Sequence, residues 1–482
     1  MSLPKFLLFL ILSFFATQLF AQHKLSPTKL QEDYDYLLSE LKLQHQGLYE
    51  YLDQEETDRL LDSIRGTLDT PLTRLEFFEK LWFVIGLTNE GHTSMELPKK
   101  EMFKIGLSKS FLPFTVRVMD EKLILTQHYG KENEALKNGL KILTINDRPI
   151  DQILKELYPL IPTDGINETS KREWIGGTNF SLLYRLHYGT EKHFNIVLEE
   201  SGASQPVAAT IDPIRFTRFK RKNATLQSIS LEYNKFKFEQ INDFIAYLSI
   251  PSFGEDELDY EQFYQTSFRR IDSLQIKHLI LDIQANGGGT EGNENLLFSY
   301  LYPEVIQKYR QVTMLPKPYH KNESDPFYRE DKWVLEGEIA KRGEFTLFSD
   351  YYSDLGYQRP LPEDIYSGKL YVLTSGKTFS GGAEFASMIR MTERGIFIGE
   401  EVGGAYEGNV SGYSEYVVLP HSKIEVEIPT VHFQLQVTPL EKGRGVLPDF
   451  TVPQTWEDYL DGRNSKKEFI IKKITQKGDF KQ

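Results

Sequence analysis

Cysteine is absent from the 482 residues of this chain. Its absence excludes disulfide bonds, thiol nucleophiles, iron–sulfur clusters and zinc sites built from cysteine. Tryptophan is scarce, with four residues, yet hydrophobic residues make up 40% and aromatic residues 13% of the chain, as in an ordinary globular protein. Any chemistry must therefore use oxygen or nitrogen groups or a cofactor.

Positive charge is also in short supply. The chain has 56 Lys and Arg residues against 69 Asp and Glu residues, a net charge of −13. Such a balance repels the phosphate backbone of nucleic acids and anionic lipid head groups, so we expect no nucleic-acid partner. The length predicts roughly two to four domains.

Long apolar runs are missing except at the amino terminus. Residues 6–20 are almost wholly apolar, follow Lys5 and end at Ala21. A basic start, a short apolar stretch and a small final residue are typical of a secretory signal peptide, whereas an uncleaved membrane anchor needs a run nearer 20 residues. We therefore expect cleavage after Ala21 and an exported protein, periplasmic or extracellular, with no stable membrane insertion afterwards.

The pattern along the chain predicts four regions after the signal peptide of residues 1–21. Residues 22–110 are expected to be helical, with one helix announced by a capping box of Thr28 and Gln31 and another by Thr70 and Pro71. Residues 111–213 read as a module of short strands. In residues 230–455 strands alternate with helices, which favours α/β layers with a mostly parallel sheet. Residues 456–482 form a C-terminal tail.

Within the α/β region the pattern predicts individual elements. The predicted strands are residues 244–250, 278–283 and 369–374, and the predicted helices are residues 260–273, 293–302 and 384–393. Residues 309–363 are polar, aromatic and rich in proline, and we interpret them as an excursion over the surface.

Glycine is concentrated at two junctions where a strand passes into a helix. The first is residues 281–289, Leu-Asp-Ile-Gln-Ala-Asn-Gly-Gly-Gly, and the second is residues 372–384, Val-Leu-Thr-Ser-Gly-Lys-Thr-Phe-Ser-Gly-Gly-Ala-Glu. A glycine inside a helix costs about 1 kcal/mol against alanine, so adjacent glycines indicate close approach of something to the backbone. Helix amino-termini offer N–H groups to a carboxylate, a phosphate or a developing oxyanion. Neither junction has the spacing of a dinucleotide or phosphate loop.

Ser380 stands at the second junction and has two interpretations. It is either a helix N-cap or an exposed nucleophile beside the N–H of Gly381. A capping box would need Glu or Gln where Ala383 stands, and an N-cap does not call for the two glycines that follow.

A serine nucleophile needs a base, and the candidates are the ten histidines. His92 is the best placed, because it lies in a polar turn after a predicted helix, between Gly91 and Thr93. Taken alone, a loop histidine is more often a turn or surface residue. No paired-histidine pattern occurs, so we predict neither a metal site nor a cofactor.

Five segments together resemble the C-terminal processing peptidase family, in its tricorn-core-like branch. They occur in the family's order and span roughly 200 residues. The segments are residues 245–253, 278–289, 378–384, 398–404 and 445–449. The resemblance implies a crotonase-like α/β core and a PDZ-like module at residues 111–213, in which residues 139–149 resemble the run Gly-x-x-Ile-x-x-Ile-Asn-x-x-Pro.

The branch of the family determines the expected mechanism. Members with a serine–lysine dyad carry lysine where this chain has Ala405, and the other branch takes a histidine from a Gly-His-Thr segment, here residues 91–93. In that branch a glutamate near the final Gly-Val-x-Pro-Asp orients the histidine. Glu441 is the nearest candidate, although one extra residue separates it from Gly-Val. Gly91 replaces the serine of tricorn, so a full tetrad is not expected.

The resemblance implies an exported serine endopeptidase acting on polypeptide substrates. Ser380 is the expected nucleophile and His92 its base, and the N–H groups of Gly381 and Gly288 are the expected oxyanion donors. The sequence gives no indication of the oligomeric state.

Two rival functions remain open. One is a non-catalytic peptide-binding protein on the same fold, favoured by Gln284 where the family often has arginine. Pro113 lies in the stretch that would capture a peptide carboxylate and removes one N–H donor from it. The other rival is acyl-thioester chemistry, which the two glycines after Ser380 and the export signal disfavour.

Overall fold

The computed structural model describes residues 24–119, 121–131, 136–200, 205–223, 232–290, 292–314, 339–342, 345–348, 364–438 and 440–476. The predicted signal peptide, residues 1–21, lies outside them. Within the described ranges, every helix is too short or too polar to cross a bilayer.

The first region is mainly helical, as predicted, but its helices begin elsewhere. Its elements are β1 (Lys24–Leu25), α1 (Pro27–Gln44), α2 (Gln54–Gly66), β2 (Leu72–Thr73), α3 (Arg74–Gly86), β3 (Ser94–Glu96) and α4 (Lys99–Leu107). The N-cap of α1 is Ser26 and makes no side-chain cap bond, so the predicted capping box of Thr28 is wrong. Helix α3 starts after Thr73, which forms a capping box with Glu76, because Leu72 and Thr73 pair with β1 first.

The second region is a β-rich module that also carries helices. Its elements are β4 (Phe114–Met119), β5 (Lys122–His128), β6 (Lys141–Ile145), β7 (Arg148–Pro149), α5 (Ile150–Leu157), α6 (Glu168–Trp174), α7 (Asn179–Tyr188), β8 (Phe194–Glu199), β9 (Val207–Ile211) and α8 (Thr217–Asn223). The strands form an antiparallel sheet in the order β4-β5-β6-β8-β9, with β7 beside β6.

Strand β4 is the edge of that sheet, but its outer side is not open at Val116. The N–H of Gly177 donates to the carbonyl of Val116 at 2.8 Å, and the N–H of Val116 donates back at 3.4 Å. The chain itself therefore occupies the point at which an added peptide strand would pair.

In its described residues, the third region contains eleven further strands and, before its C-terminal end, three α-helices. They are β10 (Lys237–Gln240), β11 (Ile245–Ser249), α9 (Tyr260–Ser273), β12 (His278–Asp282), α10 (Asn293–Ser299), β13 (Tyr309–Met314), β14 (Ile339–Arg342), β15 (Phe345–Phe348), β16 (Lys369–Thr374), α11 (Gly381–Met391), β17 (Gly395–Gly399), β18 (Gly408–Val418), β19 (Glu425–Leu435) and β20 (Phe450–Thr451).

The central sheet runs in the order β10-β11-β12-β16-β17-β20 and is parallel apart from β10. Alternate residues of each strand face opposite sides. Ala246, Leu248 and Leu279 pack with helices α9, α10 and α11 on one face, while Ile245 and Tyr247 belong to the core on the other face. The mostly parallel α/β sheet predicted from the alternating pattern is present.

A second sheet joins the first region to the third. Its order is β14-β15-β13-β19-β18, and β3 pairs with β19 through Ser94, Met95 and Glu96. Strand β13 corrects the predicted surface excursion at its start, because Tyr309 is buried and packs on Phe433. Residues 315–338, 343–344 and 349–363 lie outside the described residues.

The C-terminal tail folds onto the central sheet. It forms α12 (Trp456–Leu460) and α13 (Ser465–Thr475), and Ile470 is fully buried with Tyr247 and Leu373. This segment is therefore part of the core.

Candidate active site

The two glycine-rich junctions lie side by side. Strands β12 and β16 are parallel neighbours, so the loops after them leave the same edge of the sheet. Three hydrogen bonds join the loops: Thr378 Oγ1 donates to Ile283 O at 3.0 Å, Ser375 Oγ to Gln284 O at 2.6 Å, and Phe379 N to Asn286 O at 3.0 Å. The nucleophile candidate and the triglycine are thus held together.

Ser380 has the backbone geometry of a strained turn. Its φ is 52° and its ψ −128°, a combination that costs a non-glycine residue about 1–3 kcal/mol. It occupies the N-cap position of α11, yet its side chain makes no cap hydrogen bond. The N-cap interpretation therefore does not account for the serine, and its Oγ is available for other chemistry.

Gly288 touches Ser380 but does not offer its N–H. A Cβ at Gly288 would lie 2.7 Å from the Cβ of Ser380 and 2.8 Å from the N of Gly381. The N–H of Gly288 already donates to Asn286 Oδ1 at 2.9 Å. The structure thus corrects the predicted oxyanion role of Gly288. The lack of a side chain at Gly288 leaves space for Ser380 and Gly381, while its N–H is already bonded to Asn286.

Two other backbone N–H groups at this point have no acceptor among the described residues. They belong to Gly381, the first residue of α11, and to Gly289, whose N lies 3.8 Å from the position of a Cβ on Gly381. Gly289 adopts a φ of +146° and lies against Gly254. The pattern of three consecutive glycines did not distinguish Gly289 from Gly288.

His92 is held by a carboxylate two residues away. Its Nδ1 lies 2.6 Å from Glu90 Oε1, and its backbone N–H donates to both carboxylate oxygens at 2.9 and 3.0 Å. Burial opposes the proton on His92, but the charge and hydrogen bond of Glu90 outweigh burial, and the pKa of His92 rises to about 9. Burial likewise opposes the charge on Glu90, whose pKa His92 holds below its ordinary value.

A chain of hydrogen bonds fixes Glu90 from behind. Thr93 Oγ1 donates to Glu90 Oε2 at 3.1 Å, and His45 Nε2 lies 3.0 Å from Thr93 Oγ1. His45 and Glu90 are both buried. The threonine of the Gly-His-Thr segment therefore orients the carboxylate that orients the histidine.

Asp164 completes a cluster of charges around His92. Its Oδ1 accepts the N–H of Gly91 at 2.9 Å, and the backbone N–H of Ala405 also donates to this buried carboxylate. Burial, and then repulsion by Glu90, raise the pKa of Asp164 to about 7. Residue 164 lies far from both junctions in the sequence, and no motif indicated it.

The ring of His92 packs against the ring of Phe379, the residue that precedes Ser380. The two rings stack with centroids 4.8 Å apart and an interplanar angle of 30°. Gly91 permits this contact, because a Cβ there would lie 2.6 Å from the Phe379 ring. The structure thus brings His92 beside the residue that precedes Ser380. Within the described residues, neither His92 Nε2 nor Ser380 Oγ makes a hydrogen bond, so both atoms remain available.

Glu441 does not reach this cluster. Its side chain is 71% exposed and lies 3.7 Å from Arg444. The predicted orienting glutamate is therefore corrected to Glu90, because Nδ1 of His92 is already bonded there. The signal was a carboxylate two residues before the histidine in a tight turn.

Residues 244–452 match the model of peptidase family S41. This part of the chain is thus similar to a family of serine peptidases. The predicted resemblance to the C-terminal processing peptidases is thereby confirmed. No curated protein sequence matches the chain.

Solved structures support the S41 fold. A structure titled as mature CPAF complexed with lactacystin superposes with a TM-score of 0.63 at 14% identity, covering 93% of this chain and 98% of that chain. A crystal structure of mature CPAF gives a TM-score of 0.61 at 14% identity, covering 94% and 99%. The likeness extends over nearly the whole chain, so the helical and β-rich regions are part of the shared architecture.

A lysine from the C-terminal segment approaches Gln284, which stands where the resembling family often has arginine. Lys466 Nζ on α13 donates to Gln284 Oε1 at 3.2 Å and to Glu400 Oε2 at 3.0 Å. Gln284 Nε2 in turn donates to the buried carboxylate of Asp282 at 2.8 Å. Where the resembling family often has arginine, this chain thus has Gln284 together with the cation of Lys466 on α13.

The carboxylates near His92 also raise the question of a metal. Glu90, His92 and Asp164 present potential ligand atoms within 4.8 Å of one another. Nδ1 of His92 and Oε1 of Glu90 already share a proton, which a cation there would have to displace. The hydrogen bond between His92 and Glu90 thus occupies two of the three potential ligand atoms.

Proposed function

We propose that this chain is an exported serine endopeptidase in which Ser380 attacks peptide carbonyls and His92 acts as its base. The observation that carries the proposal is the strained, uncapped Ser380, next to the unpaired N–H of Gly381 and to Phe379, on which the ring of His92 stacks while its Nδ1 is bonded to a buried carboxylate. A base oriented by a third group and facing a nucleophile is the arrangement that activates serine.

The steps follow from these positions. Nε2 of neutral His92 removes the proton of Ser380 as its Oγ bonds to the carbonyl carbon, and the carbonyl oxygen becomes an oxyanion. The N–H groups of Gly381 and Gly289 stabilise that oxyanion. His92 then gives its proton to the leaving amine, and the C–N bond breaks. Water, deprotonated by His92, releases the acyl group and restores Ser380.

Glu90 is the orienting group in this proposal. It fixes His92 with the proton on Nδ1, which leaves Nε2 to face the serine, and it stabilises the imidazolium that forms. Free histidine exchanges between tautomers, so this bond selects the one that can act as base.

We further propose that the central sheet is the crotonase-like core and the β-rich module is PDZ-like. The parallel strand order supports the first assignment, and an edge strand β4 that follows residues 111–114 supports the second. Gly177 pairs with Val116 on that edge, so peptide capture there would first require Gly177 to leave. We take residues 1–21 as the export signal.

The test is cleavage of unfolded casein together with labelling by a fluorophosphonate probe, at pH 7 and pH 9.5. We expect Ser380→Ala and His92→Ala to lose both, by at least about 1000-fold in kcat, with thermal unfolding nearly unchanged in Ser380→Ala. Glu90→Gln should lose much of the activity at pH 9.5, where His92 of the wild type is neutral, whereas its matched control Glu441→Gln should stay within twofold. Cleavage retained by Ser380→Ala would contradict the assignment, and peptide binding without any labelling would favour the binding protein.

A further inference from the structure

Trp174 is a large aromatic side chain that stands half in solvent beside the catalytic residues. It is 49% exposed, and its ring meets that of Phe379 edge to face, with centroids 6.4 Å apart and an interplanar angle of 87°. Phe379 is only 5% exposed and stacks on His92. The rings of Trp174, Phe379 and His92 are therefore in contact in that order, and the ring of Trp174 is the one exposed to solvent.

The helix that carries Trp174 is fixed against the nucleophile loop at its first turn. Asn167, its N-cap, donates through Nδ2 to Val402 O, and Thr169 Oγ1 donates to Glu401 O at 3.0 Å. Gly376 packs so closely on this turn that a Cβ there would lie 2.2 Å from the carbonyl oxygen of Thr169.

The last turn of the same helix is fixed by charge. Arg117 of β4 donates to both carboxylate oxygens of Glu173 at 2.9 and 3.0 Å. Lys377, three residues before Ser380, lies 3.8 Å from the same carboxylate. Since its neighbour Glu173 and its partner Phe379 are both held, the indole is placed before any substrate arrives, which lowers the entropic cost of binding.

A second apolar side chain is exposed at the other end of this segment. Ile166 is 49% exposed, and its N–H donates to Gly443 O at 3.0 Å. It lies two residues after Asp164, which belongs to the charge cluster of the site. Residues 164–174 thus pass along the catalytic centre with an uncovered apolar side chain near each end.

Exposed apolar side chains beside a catalytic centre are typical of substrate contacts, because a bound ligand removes them from water. We propose that Trp174 and Ile166 bind apolar side chains of the substrate near the scissile bond, so that the peptidase selects polypeptide segments rich in aromatic and branched aliphatic residues. Such segments are buried in folded proteins, so the substrates are unfolded or unassembled chains. The proposal rests on the peptidase function above.

The test compares internally quenched peptides that differ at one position, bearing Phe, Leu, Ser or Asp near the cleaved bond. We expect Trp174→Ala to lower the ratio of kcat/KM for the Phe peptide to that for the Ser peptide about tenfold, mainly through KM, and Trp174→Phe to restore most of it. Phe103→Ala is the matched control, because Phe103 is a 66% exposed aromatic residue on α4 with no contact to the site. An unchanged ratio in Trp174→Ala would overturn the proposal.

A binding measurement separates this proposal from the peptidase function. Fluorescence anisotropy with labelled, uncleaved peptides is compared between Ser380→Ala and the double variant Ser380→Ala, Trp174→Ala. Weaker binding of the Phe peptide, by about tenfold relative to the Ser peptide, supports the role of Trp174 even if the wild type cleaves nothing. Equal weakening of all peptides, or none, rejects it. Absence of cleavage and labelling in the wild type rejects the peptidase function instead.

Discussion

A single backbone conformation sets Ser380 apart from the other polar residues of the site. With φ at 52° and ψ at −128°, the residue sits where a Cβ is disfavoured and glycine is not. The strain exposes Oγ at the turn between β16 and α11, and the surrounding hydrogen bonds of residues 375–379 hold the turn in place. Stability is thus given up locally to present the proposed nucleophile.

This strain predicts that the two inactive variants of Ser380 differ in stability. Ser380→Gly should have a free energy of unfolding about 1 kcal/mol above that of Ser380→Ala, because only glycine relaxes in this conformation. Urea unfolding monitored by circular dichroism measures the difference. Equal stabilities would mean that the turn carries no strain.

His92 and Glu90 make a prediction about pH. The base must be neutral, and its pKa is raised to about 9 by Glu90, so kcat/KM should rise with pH through that value. Glu90→Gln removes the charge that favours protonated His92, and the rising limb should move to lower pH by at least one unit. The measurement is a pH profile of kcat/KM from pH 5 to 10.

The same ion pair contributes to folding with a definite sign. A histidine whose pKa is raised in the folded state stabilises the fold at pH values below its unfolded pKa of about 6.5, and this contribution is lost as the pH rises through about 9.

The pH profile of kcat/KM also has an outcome that would contradict the prediction for Glu90→Gln. If its rising limb lies at the wild-type pH, a group other than His92 controls the rate.

Helices α10 and α11 are tied together by a buried cation. Lys308 Nζ lies 2.9 Å from Glu294 and 2.7 Å from Glu384, and Tyr309 and Asn409 also donate to Glu384. Burial opposes the charge on Lys308, but the two carboxylates outweigh it and raise its pKa. Since Glu384 lies one turn after Ser380, this cluster holds the first turn of the nucleophile helix.

Removing this cation should be costly. Lys308→Met leaves two carboxylates buried and uncompensated, and we expect the free energy of unfolding to fall by about 3–5 kcal/mol at pH 7. Lys42→Met is the control, because its pair with Asp58 is exposed and should contribute less than about 1 kcal/mol. Similar losses in both variants, measured by urea unfolding, would contradict the argument.

Elements with strong local patterns were predictable, and contacts between distant segments were not. Helix α9 and strand β16 have the predicted bounds, since periodicity and flanking polar residues define them locally. Helix α10 ends at Ser299 and not Tyr302, and α11 begins at Gly381 and not Glu384, because packing and the glycine turn set those ends.

The same division holds for the site. Ser380, Gly381 and His92 lie in motifs, so the sequence indicated them. Asp164 enters through the fold alone. The prediction of Glu441 rests on its distance in the sequence from Gly-Val, whereas the reach of the side chain decides which carboxylate meets His92.

Across the whole molecule, side chains of the C-terminal segment bind the end of β12, the strand that precedes the triglycine loop. Asn464 donates to Asp282 at 2.8 Å, and Lys466 binds Gln284 and Glu400 as described above. The end of β12, from which the triglycine loop starts, is therefore stabilised by residues almost 200 positions later in the chain.

We expect Lys466→Met to lower both stability and kcat. The buried amide of Gln284 and the partly exposed carboxylate of Glu400 lose their cation, which should cost about 2 kcal/mol in urea unfolding. Lys472→Met, an exposed lysine on the same helix, is the control and should stay within about 0.5 kcal/mol. If both variants lose the same free energy of unfolding, the contacts between α13 and the end of β12 do not stabilise the fold.

The pairing of β3 with β19 has a consequence for the time at which the protein becomes active during its synthesis. His92 lies two residues before β3, and β3 has no partner strand until residues 425–427 have been made. The end of β12 lacks its partners for longer still, until Asn464 and Lys466 have been made. A growing chain thus contains Ser380 and His92 long before Asn464 and Lys466 are present to hold the end of β12, so we expect the candidate site to assemble only after residue 466 has been made.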